Sequence, residues 1–78
     1  MKPGDLVQVR PKYQVWFNSI FMDDEGFVFK GLSHLPPHSW FVLLGFEEWN
    51  LGRNEIIAKV LIEGRILYSN RDHLKNFR

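Results

Sequence analysis

Glu55-Ile56-Ile57-Ala58-Lys59-Val60-Leu61-Ile62-Glu63-Gly64-Arg65-Ile66-Leu67-Tyr68-Ser69 decides the fold. In its first half Ile56, Ala58, Val60 and Ile62 alternate with Ile57, Lys59 and Leu61. The residues are rich in β-branched types and apolar on both faces, which suits a strand set inside a β wall. Glu63-Gly64 then separates this run from Arg65 to Ser69, and a two-residue, glycine-containing loop between two β runs is a hairpin signal. The two runs are predicted to pair antiparallel.

Upstream, Trp40-Phe41-Val42-Leu43-Leu44-Gly45-Phe46 is an apolar run too short for a stable helix, and Gly45 disfavours helix further, so it is predicted as a central strand. Glu47 to Asn54 is polar with Gly52 inside and is predicted to be a loop that carries Trp49 as a large exposed aromatic. Downstream, Ser69-Asn70 is predicted to cap a short turn over Arg71-Asp72-His73, with Leu74 turned inward and Lys75-Asn76-Phe77 as a last short strand. At the other end Pro3-Gly4-Asp5 reads as a tight turn before a first strand that sets Val7 and Val9 on one face and Gln8 and Arg10 on the other, with Pro11 closing it. From Pro11 to about Ser39 no period of 2 or 3.6 is sustained, which predicts a long loop and not a helix. Within it Trp16-Phe17, Ile20-Phe21-Met22 and Phe27-Val28-Phe29 are predicted to be short extended arms folded about the acidic turn Asp23-Asp24-Glu25-Gly26.

Seventy-eight residues make room for one core, so residues 1–78 are predicted to be a single domain. The chain has no cysteine, which excludes a disulfide framework, a thiolate metal site and a thiol nucleophile and points to the cytoplasm. No apolar run approaches the roughly 18 residues of a membrane span, and no secretion signal is visible. The formal charge is +1, with four Lys/Arg against six Asp/Glu over residues 1 to 48 and six against three over residues 49 to 78. That mild asymmetry is far from the strong basic excess of domains that grip duplex nucleic acid through its phosphates. Twelve residues are aromatic, ten of them between Tyr13 and Trp49, more than so small a core hides easily. Some are therefore expected at the surface, where large apolar side chains mark contact with a partner.

Five strands with a long first loop, a tight hairpin between the third and fourth strands and a one-turn helix before the last resemble the small SH3-like β-barrel. Pro3-Gly4-Asp5-Leu6-Val7-Gln8-Val9 looks like the opening strand of many barrels of this class. Ala58-Lys59-Val60-Leu61-Ile62-Glu63-Gly64-Arg65-Ile66-Leu67-Tyr68, with Asp72-His73-Leu74, is similar to the closing half of small uncharacterised SH3-like proteins encoded by tailed bacteriophages. The resemblance implies an all-β fold and a binding module; for a phage protein it implies the host cell's cytoplasm.

The partner-binding candidates are Tyr13, Trp16 and Trp49, which an SH3-like arrangement brings to one side of the barrel, together with Asp23 and Asp24, which stand where peptide-binding SH3 domains carry an acidic first loop. Against this stands a lid, in which the long loop folds back and spends its aromatics covering the core. Arg53, Lys59, Arg65 and Arg71, with Tyr68 as a stacking surface, form the alternative: a strip for single-stranded nucleic acid, since phosphates need cations and bases need flat faces. The plainer reading is that these charges solvate an outer sheet face. His34 and His38 have a spacing that suits two zinc ligands on a helical turn, but Leu35-Pro36-Pro37 forbids the helix. Asp23-Asp24 and Glu47-Glu48 are adjacent acids that point apart on a loop and do not make an acid/base pair. No phosphate loop, nucleophile elbow or Ser/His/Asp arrangement is present. The chain is thus expected to be a non-enzymatic protein-interaction module without metal or cofactor, acting on a protein partner or on a copy of itself; the remaining alternative is a small structural subunit of a larger assembly.

Overall fold

In a computed structural model the first strand, β1 (Leu6–Val9), lies beside β2 (Trp40–Asn50), followed by β3 (Asn54–Ile62), β4 (Arg65–Asn70) and β5 (Leu74–Asn76). The structure describes residues 1–50 and 52–77. All five strands form one antiparallel sheet in the order β4-β3-β2-β1-β5. The chain is all-β apart from 3-10 turns at Pro11–Ser19 and Arg71–His73.

The hairpin read from the sequence is present: Ile62 pairs with Arg65, and Val60 with Leu67. Both turn residues, Glu63 and Gly64, have positive φ (51° and 76°), the mirror-image turn whose twist matches its flanking strands. Gly64 meets this demand without strain; Glu63 meets it at a cost. In β1, Val7 and Val9 face inward, and on β3 Ala58, Val60 and Ile62 do so. Phe17, Phe21 and Phe41 complete the core, with Phe21 set edge-on between the other two at 5.4 and 5.5 Å between ring centroids. Asn70 accepts a hydrogen bond from the Asp72 N–H at 2.8 Å and so caps the turn before β5.

Three expectations are corrected. The sheet does not close into a barrel, since β4 and β5 are its two edges. The edge of β4 is instead occupied by the first loop, where Met22 and Tyr68 exchange both backbone hydrogen bonds at 2.7 and 2.9 Å. Second, Trp16-Phe17 is not an extended arm: Pro11–Ser19 winds through 3-10 turns broken by a kink at Trp16. Proline at the first position fixes a helical φ without losing a needed donor, and 3-10 turns leave no 3.6 period to read. The hairpin-like part of the expectation holds further on, where Met22 bridges Val28 across the acidic turn.

Third, Glu47 to Asn50 is strand. β2 runs to Asn50, pairing Glu47 with Ile57 and Trp49 with Glu55, with a bulge between Leu43 and Gly45. Of the expected loop, Gly52 and Arg53 are the described residues that lie outside the strands, and Leu51 lies outside the described residues. The polar composition of this stretch reflects a ribbon that projects past the core: Glu48 and Asn50 are exposed although they sit on the strand.

Candidate functional site

Tyr13 is held on the first 3-10 turn by its N–H, which donates to the Arg10 carbonyl at 2.9 Å. Its ring packs on His73 at 4.5 Å between centroids and lies 6.4 Å from Trp16, while Lys12 stands 5.0 Å over its ring. Trp16, at the kink, is 56% exposed, and its neighbour Val15 is 80% exposed. A large indole at that exposure on a rigid turn is a ready anchor for another surface.

Beside this cluster runs an open groove between the first loop and the β3–β4 end of the sheet. Ile20, Met22, Val28 and Ile57 give it apolar walls, and Asn70 and Glu55 stand at its rim with Tyr13 and His73. Glu55 ties the rim together, accepting from Asn70 Nδ2 at 3.4 Å and pairing with Arg53 at 3.5 Å. Burial holds the His73 imidazole below its usual pKa, opposed by the carboxylates of Asp72 and Glu55. Its Nδ1 is buried with no hydrogen-bond partner among the described residues.

Trp49 is not part of this cluster. It is half-buried on β2, where its ring lies 5.1 Å from that of Tyr68 and its Nε1 donates to Glu47 at 3.0 Å. The acidic turn rests on it, with Trp49 Cζ3 3.8 Å from where a Gly26 side chain would begin. Asp23 is taken up by that turn: one carboxylate oxygen accepts the N–H groups of Glu25 and Phe27 at 2.9 and 3.0 Å. Asp24 is exposed on the same turn. The structure therefore brings Tyr13 and Trp16 together and places Trp49, Asp23 and Asp24 in a second cluster. The lid reading holds for part of the loop, since Phe17, Phe21 and Leu32 are buried in the core.

The basic residues are dispersed. Arg53 and Arg71 flank one end of the sheet, and Arg71 lies 3.8 Å from Asp72. Arg65 is at the opposite end, stacked 4.7 Å over the Phe29 ring, with Lys59 between them on β3. Tyr68 is 8% exposed with its ring against Trp49, so it offers no open face for a base. Burial, and then the carboxylates of Glu47 and Asp24, raise the Tyr68 phenol above its usual pKa.

His34 bonds Glu63 at 2.6 Å, and among the described residues no group of three His, Asp or Glu side chains is placed to hold a metal ion. No described helix is long and apolar enough to cross a membrane.

Reading the sequence missed His73, Ile20, Met22, Val28 and Ile57 as groove residues. The sequence placed His73 on the capped turn before Leu74, but its packing against Tyr13 depends on the distant first loop. For the others the groove is made by tertiary pairing of the loop with β4, which no local pattern encodes.

No family model, curated protein or solved structure matches the chain.

Proposed function

We propose that this chain is a non-enzymatic binding module, SH3-like in its organisation, that holds a segment of a protein partner against the first loop. The observation that carries this reading is Tyr13, which lines an apolar-walled groove with a polar rim and has the exposed Trp16 beside it. Sites of that composition suit peptide segments, which contribute apolar side chains to the walls and main-chain groups to the rim. The SH3-like part is supported by the long segment between β1 and β2, the two-residue hairpin between β3 and β4 and the single 3-10 turn before β5.

The test is retention of proteins from a cell lysate by the immobilised chain. Trp16→Ala and Tyr13→Ala are expected to abolish retention of a specific protein, and nuclease treatment or raised salt to leave wild-type retention intact, because apolar contacts respond little to salt. Loss confined to Arg53→Ala/Arg71→Ala, and seen only before nuclease treatment, contradicts the protein-partner reading and favours single-stranded nucleic acid.

A further inference from the structure

The groove lined by Tyr13 has more cations about its rim than carboxylates to match them. Arg53 lines it, and three further cations touch residues that do. Lys12 Nζ stands 5.0 Å over the Tyr13 ring, Arg10 Nε donates to the Asp72 carbonyl at 3.2 Å, and Arg71 Nε lies 3.8 Å from the Asp72 carboxylate. Two carboxylates answer these four cations. Glu55 takes Arg53 and Asp72 takes Arg71, whereas the exposed Arg10 and Lys12 make no ion pair among the described residues. A lysine held over a ring still has N–H groups to donate.

The ladder keeps the opposite sign on the other side of the apolar walls. Ile57 is paired with Asn70 on β4 and with Glu47 on β2. Asn70 belongs to the rim with Tyr13 and His73, while Glu47 accepts from the Trp49 indole and so belongs with the acidic turn that rests there. Negative charge on a bound segment is therefore matched on the Tyr13 side and opposed on the Trp49 side. A nucleic acid strand is also negative, but successive bases need successive open rings. The Tyr13 ring is already packed with His73, at 4.5 Å between centroids, and with Lys12, which leaves Trp16 as a single open ring. The walls of Ile20, Met22, Val28 and Ile57 suit apolar side chains instead.

We propose that the partner segment this groove holds is an apolar peptide with an acidic flank, whose Asp or Glu carboxylates meet Arg10 and Lys12. The inference rests on the reading of the groove as a peptide site and adds the chemistry of what enters it. Apolar side chains supply the hold, and the charges choose among apolar segments by attraction on one flank and repulsion on the other.

The test is selection of random linear peptides of about ten residues, long enough to cross the molecule's 30 Å long axis, on the immobilised whole chain. Selected peptides are expected to carry Asp or Glu beside apolar residues. In fluorescence anisotropy the tightest of them is expected to bind about tenfold more weakly once its acids are replaced by Lys, and raised salt to cost only about threefold. Arg10→Glu/Lys12→Glu, shown to be folded by circular dichroism, is expected to reverse the preference and take the Lys-bearing peptide more tightly than the acidic one. Lys12→Glu alone breaks no hydrogen bond of the fold, is expected to shift the preference the same way by a smaller factor, and carries the test if the double variant unfolds. Peptides that lose binding in Trp16→Ala and Tyr13→Ala yet are indifferent to exchange of their acids for Lys overturn the acidic flank and leave the peptide-binding reading standing. Peptides indifferent to Trp16→Ala and Tyr13→Ala, an empty selection, or an oligothymidylate that binds more tightly than any selected peptide overturns both.

Discussion

The Trp49 indole packs on the Tyr68 phenol ring, 5.1 Å between centroids and tilted by 41°, and so ties the far end of β2 to the middle of β4. The acidic turn rests on the outer edge of the same indole. Trp49 therefore works as a prop for the first loop. Trp49→Ala is expected to lower the free energy of unfolding by about 2 kcal/mol, between the cost of a surface change and that of a fully buried aromatic. Urea denaturation measures this loss, and partner retention by the folded variant is expected to change less than it does in Trp16→Ala.

Beneath that indole the Tyr68 phenol has its pKa raised above 10.0 by burial, by Glu47 and by Asp24. Its folded form holds the proton more tightly than its unfolded form. The associated stability is complete below about pH 10, the unfolded value, and is lost as pH rises through the folded pKa. Thermal melts are expected to fall in this range for the wild type and to fall less for Tyr68→Phe.

His73 behaves in the opposite sense. Its pKa lies below 6.5 because burial disfavours the imidazolium, against the pull of Asp72 and Glu55. The stability it contributes is present above pH 6.5 and declines as pH falls, because the unfolded chain takes up the proton first. Tyr13→Ala uncovers the ring and is expected to move the His73 titration, followed by proton NMR, up toward 6.5.

Gly31 lies against Phe29 so closely that a Cβ would sit 2.4 Å from the ring's Cζ. The ring is held from both sides, packed on the core and covered by Arg65. Gly31→Ala is expected to destabilise the chain by about 1 to 2 kcal/mol through overpacking, measured by chemical denaturation.

Ser69 is fully buried opposite Ala58, and its hydroxyl has no hydrogen-bond partner among the described residues. Removing an unsatisfied buried hydroxyl relieves its desolvation cost, so Ser69→Ala is expected to match or exceed the wild type in stability, by up to about 1 kcal/mol.

The strands whose residues alternate against one core were legible: Val7 and Val9 in β1, Ala58 to Ile62 in β3 and the Glu63-Gly64 turn all rest on local pattern and turn chemistry. What escaped depends on contacts distant in sequence. Glu47 and Glu48 looked like loop because they are polar, yet the ladder to Ile57 and Ile56 keeps them extended. Trp49 looked exposed because its neighbours are polar, and only the arrival of Tyr68 and Gly26 from elsewhere in the chain covers it. Pro11 to Ser19 shows no period because 3-10 turns with a kink at Trp16 impose none. Of the candidate site, Tyr13 and Trp16 were visible as rigid aromatics, whereas the groove beside them exists because Met22 has replaced a closing strand at the edge of β4.

That replacement supports the whole account, since without it there is neither groove nor prop. Amide hydrogen exchange followed by NMR measures it directly. The Met22 and Tyr68 amides, each donating to the other residue's carbonyl, are expected to exchange within about tenfold of the core amide of Val60. Exchange of both at the rate of an unprotected loop would show that the first loop is not docked on β4 and would contradict the account.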